Sequence, residues 1–186
     1  MRFVCIAVWV GVIVGCLSLY LVYPQTFTPE NIASFLGQFQ GEIWLVYLVL
    51  SALRGISLLP STPLVIAGTM LFPAQPIAVL GVSIAGIVIS STMIYHFSEY
   101  LGFSDFFEGR NPKLMHRIKT KLEHPLGFLF VAAWAFFPLV PTDLVCYVAG
   151  TTKMNYWKFI FAIVAGEITL CSIYIFFGGA VLNYVR

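Results

Sequence analysis

The chain has 186 residues, 60% of them apolar and 10% charged, with a net charge of +2 and a mean hydropathy of +0.92. A soluble domain carries about 25% charged residues, so this balance excludes an ordinary water-soluble globule and argues against nucleic acid as a partner. It points to an all-α integral membrane protein. Phe3 to Tyr23 is a continuous apolar run of spanning length behind Arg2. With no small-residue cleavage site it reads as a retained N-terminal transmembrane helix (1–23) whose N-terminus is cytoplasmic. Residues 24–41 are polar and suit an external amphipathic linker. In that linker Thr28-Pro29-Glu30 reads as a helix start, and Ile32, Phe35, Leu36 and Phe39 form an apolar stripe.

From Glu42 the chain is apolar again until L-L-P-S-T-P, Leu58 to Pro63, interrupts it. Pro60 and Pro63 lack an N–H and clash with a preceding helical turn. The limb that follows, Leu64 to Phe72, is too short to cross a bilayer core of about 30 Å. Glu42 to Leu59, at about 27 Å, is long enough to cross if it is helical throughout. Crossing would place the basic 103–124 loop outside, against the positive-inside rule. The expectation is therefore a re-entrant hairpin over 42–73, followed by a full span over 76–100 with Gly81 and Gly86 available for close helix packing.

Residues 103–124 hold Arg110, Lys113, Arg117, Lys119 and Lys121 against Asp105, Glu108 and Glu123, with Leu114, Ile118 and Leu122 on one stripe. They read as a cytoplasmic surface helix that Asn111-Pro112 can start. Pro138 and Pro141 then break a second apolar stretch into limbs from Gly127 to Phe137 and from Thr142 to Gly150, each about half the bilayer core in length. This gives a second hairpin over 125–151, entered from the cytoplasmic side, where Lys153 and Lys158 also belong. A last span follows over 156–184. Both halves contain P-x-x-P and then A-G-T (Ala67-Gly68-Thr69 and Ala149-Gly150-Thr151). The expected architecture is an inverted-repeat bundle of two opposed re-entrant hairpins and three full transmembrane helices. Broken helices in opposed repeats are characteristic of transporters.

Four charged residues lie in apolar sequence. Arg54 sits about a turn before the first break, Asp143 just after the second, Glu167 near the centre of the last span, and Glu99 near the cytoplasmic end of the middle span. Charges at that depth need partners or water, and commonly face a pathway. Arg54 is expected to pair with Asp143 or Glu167, either as an ion pair that locks the hairpin tips or as part of a binding site. Asp143 and Glu167 are the candidate proton carriers, and Glu99 reads as interfacial. Ser61, Thr62 and Thr142 open the returning limbs and would aim helix N-termini at mid-membrane, either capping backbone or joining Arg54 in receiving an anion. Cys5, Cys16, Cys146 and Cys171 lack C-x-x-C spacing and read as small buried hydrophobes. No H-E-x-x-H, P-loop or G-x-S-x-G pattern occurs, so no catalytic residue, metal or cofactor is expected, and the chain is not read as an enzyme.

P-L-V-P-T-D-L-V-C-Y-V-A-G-T-T-K-M, from Pro138, resembles the DedA superfamily, and within it the SNARE-associated Golgi protein or VTT-domain branch. L-R-G-I-S-L-L-P-S-T-P-L-V-I-A-G-T-M-L-F-P, Leu53 to Pro73, is similar to that family's first hairpin. Y-H-F-S-E-Y-L-G, Tyr95 to Gly102, is similar to the end of its middle span. The likeness covers roughly Val46 to Gly166, so a VTT-like domain is expected within 42–186. Three positions depart from the pattern: Ala135 stands where the family usually has arginine, Ser98 where it has glycine, and Glu99 where it has arginine. The resemblance implies a multi-pass membrane transporter, in the inner (plasma) membrane if the host is bacterial.

Two kinds of substrate are known in the family, polyprenyl-phosphate carriers and phospholipids, and some members are linked to the proton motive force. The leading expectation is a lipid translocase, with membrane lipids and protons as partners and a homo-oligomer open to it. The alternatives are a proton- or cation-coupled transporter of a small solute, and a non-transporting membrane scaffold that binds through the basic helix.

Overall fold

The computed structural model describes residues 2–39, 41–57, 59–100, 112–138 and 141–178, with the side chains of all of these but 2–8, 56, 57, 99 and 114. Glu99's side chain, the 103–111 part of the expected basic helix and the 179–184 end of the last expected span lie outside the described residues. Among the described residues there are nine α-helices and no strand. They are α1 (Arg2–Val22), α2 (Pro29–Leu36), α3 (Ile43–Leu53), α4 (Thr62–Leu71), α5 (Pro76–Tyr100), α6 (Pro112–Glu123), α7 (Pro125–Phe136), α8 (Thr142–Thr151) and α9 (Tyr156–Ser172). A π-helical turn, Ile173–Phe177, continues α9.

Among the described residues two helical stretches, Pro76–Ser98 and Tyr156–Phe177, are long and apolar enough to cross a membrane. The 21 residues of α1 reach about 31 Å at 1.5 Å each, and the side chains described along it, from Trp9 onward, are mostly apolar.

The helix ends follow from local chemistry. Thr28 caps α2, its hydroxyl accepting from the Asn31 N–H at 3.4 Å, with Pro29 at the first turn. His124 Nδ1 accepts from the Leu126 N–H at the start of α7, and Asn155 Oδ1 from the Lys158 N–H at the start of α9. Helix α8 ends in a Schellman arrangement, with Lys153 N–H on Gly150 O, Met154 N–H on Ala149 O, and Lys153 at φ 53°.

In the first apolar limb the α-helix stops at Leu53 after 11 residues, about 17 Å. A 3-10 turn over Arg54–Ser57 tightens the chain ahead of the prolines. Arg54 thus stands at the end of α3, about one turn before the proline break as expected, with its guanidinium bonded to Leu59 O at 3.3 Å. Beyond the break the chain folds back. Trp44, near the start of α3, stacks on Phe72, just past the end of α4, with centroids 3.9 Å apart. Helix α2 lies across this unit, since Leu36 is fully buried with Tyr47 and Leu64 and Ile32 packs beside them. Its apolar stripe is therefore divided, because Phe35 and Phe39 remain on the surface.

The second unit is built similarly. Helix α7 runs to Phe136, the chain breaks over 137–141, and α8 returns. The outer end of α7 is fastened to the start of α9 by Lys158, whose Nζ donates to the carbonyls of Leu122, Glu123 and His124 at 2.9, 3.0 and 2.6 Å. In both halves the long helix after the break packs through glycine against the first limb. A Cβ on Gly86 would strike Ser51 of α3, and one on Gly166 would lie 2.7 Å from Ala135 Cβ of α7. Each glycine stands ten residues after the first of its helix, Pro76 or Tyr156. On the returning limbs, Gly68 lies under the Tyr47 ring of α3 and Gly150 against Tyr95 and Ser98 of α5. Gly81 departs from its expectation, because nothing lies within 4 Å of where its Cβ would be.

Candidate functional site

The proline breaks bring two distant parts of the chain together. Arg54 Nη1 lies 3.6 Å from Asp143 Oδ2, with both residues buried, and this is the one ion pair among the described residues. Asp143 belongs to the first turn of α8, where a negative charge meets the positive end of the helix dipole. One residue earlier, the Thr142 hydroxyl donates to Glu167 Oε1 at 2.6 Å. Glu167 is completely buried on α9, and Cys171, a turn further on, directs its S–H at Oε2 from 3.8 Å.

Helix α5 forms the back of the site. Gly55 fits between the two halves: a Cβ there would lie 2.9 Å from Asp143 Oδ1 and 3.0 Å from Ser90 Cβ. Ser90 Oγ, buried beside it, has no hydrogen-bond partner among the described residues. Sequence reasoning missed Ser90. Its signal was the hydroxyl run Ser90-Ser91-Thr92 at the middle of an otherwise apolar span.

The structure therefore joins Arg54, Thr142, Asp143 and Glu167 in one polar centre. Ser61 and Thr62 stay apart from it. They are half-buried at the start of α4, and among the described residues neither makes a side-chain hydrogen bond. The expected backbone cap is absent too, because Leu64 N–H and Val65 N–H turn to the Ser61 carbonyl. Thr142 does not cap α8, since Pro141 occupies that position and the threonine hydroxyl is given to Glu167.

A cleft of about 490 Å³ opens onto Arg54 between α1, α2 and the first broken unit. Leu59, Pro60 and Pro63 flank its inner end, and Tyr20, Phe27 and Leu53 form apolar walls. The centre holds one guanidinium and two carboxyl groups. Desolvated charges of this kind destabilise a fold unless each is matched, so the side chains nearest the breaks hold one another in place.

Two of the three positions that depart from the resemblance pattern, Ala135 and Ser98, have a packing role here. Ala135 is fully buried against Gly166, in a contact too tight for a longer side chain. Ser98 is fully buried over Gly150 and donates to Tyr95 O at 2.9 Å. Tyr95 in turn donates to Met154 O at 2.5 Å. Arg54 is thus the cation at the breaks among the described residues.

Comparison with known proteins gives one match, a family model for the VTT domain over residues 59–180. No curated protein and no solved structure matches the chain. The matched range contains both proline breaks, Asp143 and Glu167, and begins five residues after Arg54.

Proposed function

The chain belongs to the VTT-domain family, the domain of DedA and SNARE-associated Golgi proteins, and on that footing we propose that this membrane protein is a multi-pass carrier of a phosphate-bearing lipid between leaflets. In this reading the α3–α4 and α7–α8 units are re-entrant hairpins entered from opposite sides, and the matched glycine packings are traces of an inverted repeat. The positive-inside rule supports a single cytoplasmic end. Lys113, Arg117, Lys119 and Lys121 on α6 lie with Lys158 at the outer end of α7, and Lys153 closes α8 at the same end.

The observation that carries the proposal is the buried Arg54–Asp143 contact where both breaks meet, at the inner end of an apolar cleft. Irregular backbone at membrane depth persists only where protein or a watery cavity satisfies it. In the resting arrangement Asp143 occupies the guanidinium. A lipid phosphate entering the cleft competes for Arg54, and a proton taken up by Asp143 or Glu167 offsets the displaced carboxylate. The acyl chains remain among the apolar walls while the head group passes.

The test is purified protein in liposomes carrying a head-group-labelled phospholipid or polyprenyl phosphate, read with a quencher that cannot cross the bilayer. Exchange faster than in empty liposomes for one of them, returned to the empty rate by Arg54→Ala, is expected. Rates equal to those of empty liposomes for both lipids would overturn the proposal.

The excess of carboxyl groups over guanidinium favours a second reading, a proton- or cation-coupled carrier of a small solute. It requires solute-dependent proton entry into proteoliposomes that Glu167→Gln abolishes, with no lipid exchange.

A further inference from the structure

In the second broken unit, α7 and α8 part to leave a groove of about 1130 Å³, walled by α1 and α6. Leu126, Phe130 and Trp134 line it from α7 at four-residue intervals, and Leu144 and Val148 face them from α8. The α7 residues cover about 12 Å of helix, close to the acyl depth of one leaflet in a core of about 30 Å. Trp9 closes the wall from α1, its ring 4.9 Å from that of Tyr147.

The groove is polar at one end, where Lys121, His124, Thr151 and Thr152 gather. Lys121 has no ion-pair partner among the described residues. His124 Nδ1 accepts from the Leu126 N–H, which leaves Nε2 as the ring nitrogen that can donate. Helix α6 carries further cations in Lys113, Arg117 and Lys119. An apolar slot about one leaflet deep, with Lys121 at its polar end, complements a lipid with a negative head group.

We propose that this groove binds an anionic phospholipid of the leaflet beside α6, its phosphate at Lys121 and His124 and a chain between α7 and α8. The proposal rests on the membrane setting alone and holds whether or not the chain moves lipid.

Native mass spectrometry of the detergent-purified chain, with equal amounts of phosphatidylglycerol and phosphatidylcholine added, tests it. The expected result is a phosphatidylglycerol adduct, weakened about five-fold by Lys121→Gln, the effect of one cation near a membrane surface. Val148→Trp, which fills the groove, removes the adduct, and Leu129→Trp, on the exposed surface of α7, leaves it unchanged. Because Lys121 is exposed, its variant gives a reading even if the tryptophan in the groove impairs folding. Equal retention of the two lipids, or an adduct indifferent to both Lys121→Gln and Val148→Trp, would overturn the proposal. So would an adduct lost in Arg54→Ala and kept in Val148→Trp, which would place the lipid at the breaks. A dimer that Val148→Trp disrupts, without a lipid adduct, would assign the groove to a second copy of the chain and overturn it too.

Discussion

Arg54 and Asp143 are separated by 88 positions in the chain, yet their side chains lie 3.6 Å apart and out of solvent. Removing one member of a buried pair leaves the other charge unmatched, at a cost of about 3–5 kcal/mol, whereas replacing both by apolar groups can be nearly neutral. Arg54→Leu and Asp143→Leu should each lower the unfolding temperature in detergent, and the double variant should recover most of the loss. Lipid exchange should stay at the empty-liposome rate in all three. A double variant as unstable as the worse single one would show that the pair is not the relevant coupling.

Glu167 acts at the same centre in a different way. Its Oε1 accepts the Thr142 hydroxyl at 2.6 Å, and a glutamine can present a carbonyl oxygen in the same place. Glu167→Gln should therefore fold and unfold much like the parent, but it has no proton to exchange. The expected outcome is a lipid exchange rate that no longer responds to an imposed pH gradient. Measured with inward and outward gradients in proteoliposomes, a parent-like response would remove Glu167 from the proton path.

The breaks and the charged pair were legible in the sequence because their causes are local. Proline at 60, 63, 138 and 141 denies the helix its hydrogen bonds wherever the rest of the chain goes, and a charge in apolar sequence must find a partner. What depends on the neighbour across an interface was not legible. Gly81 and Gly86 share one helix and one residue type, yet only Gly86 meets another backbone, at Ser51. Thr142 looks like a cap in sequence, but Glu167 approaches from α9 and takes its hydroxyl. Tyr47 donating to or accepting from Ser83 at 2.6 Å, and Ser90 behind Gly55, depend on the register between helices, which hydropathy does not encode. Nor does hydropathy mark where α3 ends: the apolar residues run on past Arg54, while the backbone tightens to a 3-10 turn before the prolines.

Gly150 and Gly166 set how closely the second broken unit approaches α5 and α9. A Cβ on Gly150 would lie 3.0 Å from the Tyr95 carbonyl carbon and would overlap Ser98 Oγ; one on Gly166 would lie 3.0 Å from Phe136 N. The nearest obstacles include backbone, which cannot turn aside. Overpacking of this kind costs about 1–3 kcal/mol, so Gly150→Ala and Gly166→Ala should each lower the unfolding temperature. Gly81→Ala, facing open space, should not. Equal behaviour of the three variants in a thermal scan would contradict the packing described.

Lys158 joins three elements through one ammonium group. Its Nζ donates to Leu122 O, Glu123 O and His124 O, so the end of α6, the start of α7 and the first turn of α9 are held together. The last carbonyls of a helix have no partners within it, and a cation at that end also answers the negative pole of the dipole. Lys158→Met retains most of the aliphatic stem and removes the donors. Each lost charge-assisted hydrogen bond is worth about 1.5–3 kcal/mol at most, less here because the carbonyls are partly open to water. The expected effect is local: faster amide exchange over 120–127, with α5 and the inner part of α9 unchanged. Hydrogen–deuterium exchange of the detergent-purified chain reads both regions at once. Unchanged exchange at the α6–α7 junction would mean that the turn holds without the lysine, leaving the adjoining groove independent of α9.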